Sequence, residues 1–235
     1  MLRCLTCITL LMSGTVPALA SLLMVGPVDF GSTTPLTVLS IQNAGTASGC
    51  VGFIAGGDVT GLAACPGGFT GAGGNELMAD TATATVGQLQ SAGVNDASKL
   101  LLVFHSGEPT GTALDLSDLA VVFFDVSTDT TFTANLPGTP VALTTAGSGN
   151  PSTGIAFKLD PFEAFLANGF MANMSNRVGV DATISGTTGA ADSFFLAAQT
   201  PVSAVPEPGV SWLAGFGLIA ISIRRLKTFL LANRL

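Results

Sequence analysis

A mainly β fold is predicted for residues 21–199: an antiparallel β-sandwich, jelly-roll-like, with one short capped helix. Three observations predict it. Short runs rich in Val, Leu, Ile and Phe are broken by clusters of Gly, Asn, Asp and Pro. One run, NRVGVDATI at 176–184, alternates cleanly between an apolar and a polar face. A single segment, DPFE at 160–163, carries the start signals of a helix. No fixed short repeat marks a β-helix. The 235 residues hold one such domain plus a segment at each end. Residues 1–20 read as a signal peptide, 200–208 as a Pro-rich linker, 209–223 as a transmembrane helix and 224–235 as a basic cytoplasmic tail.

The elements follow in chain order. MLRCLTCITLLMSGTVPALAS opens with Arg3, continues with an apolar stretch from Leu5 to Val16, and reaches the small-x-small site Ala18-Leu19-Ala20. That is a secretory signal, cut after Ala20 so that Ser21 leads the mature chain and Cys4 and Cys7 are lost. PLTVLSIQN (35–43) is the first clear strand. Cys50 and Cys65, the two cysteines that remain, form an even pair in an exported chain and are expected to make one disulfide. Closing that loop stabilises the fold by roughly 3 kcal/mol in the chain-entropy account. GGFTGAGGNE (67–76) is a glycine-rich surface loop without the Lys-Ser/Thr of a phosphate loop.

KLLLVFHS (99–106) and LAVVFFDV (119–126) are apolar on both faces, which places them centrally in their sheets. LPGTP (136–140) is a turn. TGIAFKLD (153–160) is a strand leading into the helix, where Asp160 caps, Pro161 takes the first position and Glu163 completes a capping box. The helix is expected to end near Asn168, with Gly169 left-handed and Phe162, Phe165 and Leu166 facing the sheet. In 176–184, Val178, Val180, Ala182 and Ile184 share the inner face. SFFLAAQ (193–199) is the last strand.

Charge narrows the partners. Between Ser21 and Val205 fourteen acidic residues face three basic ones (Lys99, Lys158, Arg177), a net of −11. Such a surface repels phosphate backbones and excludes nucleic acid as a partner. It leaves room for a divalent cation or a neutral glycan. Asp115, Asp118, Asp125 and Asp129 are candidate calcium ligands, although their spacing is not that of an EF-hand loop. No other metal is expected, because one histidine and two cysteines make too few zinc ligands. His105-Ser106-Gly107-Glu108 holds the lone histidine, yet no G-x-S-x-G elbow accompanies it, and His105 reads as a solvated turn residue. No cofactor and no catalytic residue is expected. A glycosidase needs only two carboxylates, which keeps a secreted glycoside hydrolase as an alternative.

The C-terminal end is the most specific stretch. Val205-Pro206-Glu207-Pro208 precedes fifteen uncharged residues, Gly209 to Ile223, and then Arg224-Arg225. A helix of that length reaches about 22 Å against a hydrocarbon core of about 30 Å, so it makes a short span. Arg224, Arg225 and Lys227 put its C-terminal end in the cytoplasm. In that order the three parts resemble the PEP-CTERM sorting signal of Gram-negative bacteria that make extracellular polysaccharide. The resemblance covers about the last thirty residues, and LKTFLLANRL continues past the arginines, where such signals usually stop. It implies recognition of Pro206, Glu207 and Pro208 by an exosortase, a membrane-embedded transpeptidase-like enzyme, with cleavage near the triplet.

The expectation is therefore an exported, non-catalytic protein. It would leave through Sec export and signal peptidase, be anchored for a time in the inner membrane, and pass to the cell surface or the polysaccharide matrix. A glycan- or calcium-binding sandwich module is the alternative.

Overall fold

Alternation of Val, Leu, Ile and Phe along short segments gives each strand one face that must leave water, and paired sheets are the way to bury those faces. The structure is a computed structural model that describes residues 21–29, 35–54, 56–60, 74–145 and 153–199. The chain divides into two units, Met1–Gln199 and Thr200–Leu235. The signal residues Ala18 and Ala20, Cys65, most of the glycine-rich loop and everything from Thr200, including Pro206, Glu207, Pro208, Arg224 and Arg225, lie outside the described residues.

The fold is mainly β, with antiparallel sheets and few helices. Its strands are β1 (Leu22–Asp29), β2 (Leu36–Ile41), β3 (Ala44–Ile54), β4 (Gly57–Thr60), β5 (Ala84–Thr85), β6 (Leu100–His105), β7 (Ala113–Asp125), β8 (Thr130–Asn135), β9 (Val141–Thr144), β10 (Thr153–Leu159), β11 (Arg177–Thr188) and β12 (Asp192–Ala198). One sheet runs β1-β10-β6-β12-β2. The other runs β4-β3-β11-β7-β8, with β5 beside β11 and β9 beside β7. The chain changes sheet between β2 and β3, β5 and β6, β6 and β7, β9 and β10, β10 and β11, and β11 and β12.

All six strands expected from the sequence are present. β6 and β7 are interior strands, buried on both faces over Leu100–Phe104 and Leu119–Phe124. Val178, Val180, Ala182 and Ile184 of β11 enter one core with Val121 and Phe123 of β7 and with Phe104, Phe157, Phe194 and Leu196 of the other sheet. The rings of Phe104 and Phe194 lie 5.2 Å apart, within the range where aromatic pairs add to their area burial. Gly179 and Gly107 allow close approach. A side chain at Gly179 would strike the Val51 carbonyl, and one at Gly107 the Ala191 carbonyl.

Among the described residues two α-helices pack on the sheets. α1 (Val86–Ser91) begins with a full capping box: Thr85 Oγ1 accepts from the Gln88 amide at 3.0 Å, and Gln88 Oε1 accepts from the Thr85 amide at 2.8 Å. α2 (Pro161–Met171) starts where Asp160 and Pro161 place it, the Asp160 carboxylate accepting from the amides of Phe162 (2.8 Å) and Glu163 (2.9 Å).

Three details of α2 differ from expectation. It runs past Gly169 to Met171, and Ala172 closes it in a right-handed conformation. Glu163 does not complete a box, since the Asp160 amide donates to the Ser21 carbonyl instead (3.1 Å) and the Glu163 carboxyl is buried. The buried face is Glu163, Ala164, Ala167 and Met171, while Phe162, Phe165 and Leu166 point away from the sheets. Alanines bring the helix axis closer than phenylalanines allow, and Phe170, on the inner side, stacks near Phe123 and Phe132.

Candidate functional site

Polar and apolar groups converge in three places. The first is a cleft of about 320 Å³ between the β3–β4 and β7–β8 hairpins, lined by Phe53, Ile54, Phe124, Asp125, Val126, Asp129, Thr130 and Thr131, with Gly56 at its edge. The two-residue connection of β3 to β4 and the four-residue turn of β7 to β8 bring these side chains to one end of the sheet. The half-buried Phe53 ring is crossed by the Arg177 guanidinium at 4.9 Å from its centroid, a cation–π contact. Arg177 also faces Asp58 at 3.8 Å and donates to Thr83 Oγ1 at 3.4 Å. Asp125 accepts from the amide and hydroxyl of Ser127, at 2.9 and 2.6 Å, which hold its carboxyl below the usual range. Asp129 adopts φ of +55°, in the left-handed region that Asp tolerates in turns.

The second place is on the outer face of β11. Asp181 is 3% exposed, and burial pushes its carboxyl up to about 8, with the charge of Asp118 on β7 adding to the effect. A hydrogen bond with Asp118 also favours the protonated form of Asp181. Burial raises Asp118 too. Asp181 Oδ2 and Thr183 Oγ1 beside it are buried without a hydrogen-bond partner. Glu76 lies near enough to raise Asp181 further; its own oxygens accept from the amides of Cys50 and Gly74, both at 3.0 Å.

The third place joins the β6–β7 loop to the β11–β12 turn. Ser106 Oγ donates to Asp192 Oδ1 at 2.9 Å, and the Gly107 amide donates to the same oxygen at 3.1 Å. Glu108, fully buried, accepts from the Thr188 amide at 2.7 Å and from the Thr188 hydroxyl. Burial lifts the Asp192 carboxyl to about 6, offset in part by these bonds and raised again by Glu108. The carboxylates thus tie two chain turns together. His105 ends β6, half-buried, with its ring 6.2 Å from Phe195.

The four candidate calcium ligands do not meet. Asp115 is exposed near the start of β7, Asp118 sits beside the bulge opposite Thr183 and Ile184, and only Asp125 and Asp129 share the β7–β8 turn. Among the described residues no three His, Cys, Asp or Glu side chains come together in a way that could hold a metal ion. Cys50 is buried and disulfide-bonded; Cys65 lies outside the described residues. Asp181, Asp192 and Glu163 were not legible as unusual groups, because an Asp on the polar face of an alternating strand normally marks water. Compared with known proteins, the chain matches no family model, no curated protein and no solved structure.

Proposed function

We propose that this chain is an exported, non-catalytic surface or matrix protein: a jelly-roll β-sandwich delivered by an N-terminal signal peptide and a C-terminal PEP-CTERM-like sorting segment. Its C-terminal helix would hold it in the inner membrane until an exosortase-like enzyme acts near Pro206-Glu207-Pro208. The observation that carries the reading is in the sequence: the small-x-small site Ala18-Leu19-Ala20 at one end, and at the other Pro206-Glu207-Pro208, an uncharged run and Arg224-Arg225 in that order, on either side of strands that among the described residues run from Leu22 to Ala198. The order β10-β6-β12-β2 facing β3-β11-β7-β8 supports the jelly roll, in which two Greek keys wrap around each other. The non-catalytic reading is supported by the use of Glu108 and Asp192 as hydrogen-bonded ties between turns. Mass spectrometry of the mature protein from a host with the processing enzyme should find no peptide beyond Pro208. Full-length chain persisting in the inner membrane there would overturn the sorting role.

A binding-module reading draws on the cleft. Its volume falls within the range of small-ligand sites. An aromatic ring beside carboxylates and threonine hydroxyls suits a neutral glycan, which stacks its apolar face and donates from its rim. Titration with soluble oligosaccharides should then shift the amide signals of Thr130 and Thr131, and unmoved signals would remove this reading.

A further inference from the structure

The outward face of α2 carries the exposed phenylalanines of the described domain, while β1 exposes a second, aliphatic group at Leu23, Met24 and Val25. Phe162 is 53% exposed, Phe165 73% and Leu166 40%, and Met174 in the turn that follows is 66% exposed. Phe162, Phe165 and Leu166 stand at i, i+3 and i+4, so they form one contiguous strip. Large apolar side chains grouped in this way on a soluble surface mark an interaction site.

Two further observations say what the strip meets. The first is where the chain leaves the domain. The amide of Gln199, last of the described residues, donates to the Lys99 carbonyl at 2.7 Å. Lys99 closes the 3-10 turn Ala97–Lys99, which packs on α2 and is tied to it by Asn168: Asn168 Oδ1 accepts from the Ala97 amide at 2.8 Å, and its Nδ2 donates to Asp96 at 3.2 Å. The exit point and the apolar strip thus belong to one end of the molecule. The nine residues 200–208 can span at most about 30 Å, which keeps this end within one domain diameter of whatever holds residues 209–223. The second observation is charge. Lys158 and Asp160 precede the helix and Asp96 and Lys99 flank it, so this end lacks the excess of negative charge that would hold the rest of the domain off a bilayer. Glu163 is on the buried face.

We propose that Phe162, Phe165, Leu166 and Met174 seat α2 in the interfacial layer of the lipid bilayer while the chain is anchored. This rests on the reading of residues 209–223 as a membrane helix. Side chains of this kind, lying in the plane of the interface, add a weak second contact that becomes effective once the first has fixed the distance.

The test uses the full-length chain, with Cys4 and Cys7 replaced by serine, in phosphatidylethanolamine–phosphatidylglycerol vesicles under non-reducing conditions. A spin label is placed at Phe165→Cys, and in a second sample at Thr128→Cys in the β7–β8 turn. Collision with oxygen should exceed collision with a water-soluble nickel chelate several-fold at 165, and the reverse should hold at 128. Adding Phe162→Ser and a label at Leu166→Cys should return that position toward the aqueous pattern. A nickel-accessible 165 in chain that still sediments with the vesicles overturns the seating and leaves the anchor standing. Protection from both reagents points to a protein partner and also overturns it. Failure to sediment after an alkaline wash refutes the anchor, and the seating with it.

Discussion

Replacing Asp181 by Asn tests whether the outer face of β11 holds a proton. The carboxyl titrates near 8 in the folded chain, against about 3.9 for an unfolded Asp. Between these values folding takes up a proton, so the unfolded state binds fewer and stability falls as pH rises. The contribution is fully present below about pH 4 and gone above about pH 8. At about 1.4 kcal/mol per unit, the loss between about pH 5 and about pH 8 comes to about 4 kcal/mol. Asn cannot ionise, yet it keeps a donor for Asp118. Urea unfolding of parent and Asp181→Asn at intervals across that range is the measurement. The stability difference should move in favour of the variant by about that amount as pH rises, whatever the sign of its offset at the acid end. Asp192, raised to about 6, imposes a slope of its own, but it is common to both proteins and cancels. Parallel pH profiles would refute a buried, shared proton between Asp181 and Asp118.

Three other changes probe the scaffold. Asp160→Ala removes the acceptor for two first-turn amides of α2 and should cost about 1 kcal/mol in thermal or urea unfolding. Glu108→Ala removes the buried carboxylate that accepts from the amide and hydroxyl of the exposed Thr188, which can turn to water, and a loss of about 1–2 kcal/mol is expected by the same assays. Gly179→Ala drives a methyl group into the Val51 carbonyl and should lower the yield of folded protein, or its unfolding midpoint, more than either.

The strands with Val, Leu and Phe at high density were legible because their burial leaves a regular imprint. β6, β7 and β11 carry that imprint most clearly. β3 left almost none: AGTASGCVGFI is half small residues, and its place between β4 and β11 is settled by partners, not by its own propensity. The start of α2 was legible from Asp160 and Pro161, but its orientation was not. Phe162, Phe165 and Leu166 fit an inward stripe as well as Ala164, Ala167 and Met171 do. Only packing distance against the sheet chooses between them. The cleft was half legible: Asp125 and Asp129 stood out, whereas Phe53 and Arg177 come from strands with no visible link to that turn.

The position of β12 bears on how such a chain becomes a finished object. It lies between β6 and β2, hydrogen-bonded to both, yet among the described residues it is the last strand to be synthesised. Until Asp192–Ala198 has been made, β2 and β6 have no neighbour to join them, and that sheet stays in two parts. Pairings that reach across some 150 residues, such as Phe194 with Leu39, are also slow to form, because a long loop must close before any contact rewards it. The domain cannot mature strand by strand as it emerges. It locks in one late step, once Asp192–Ala198 is available to join the two parts.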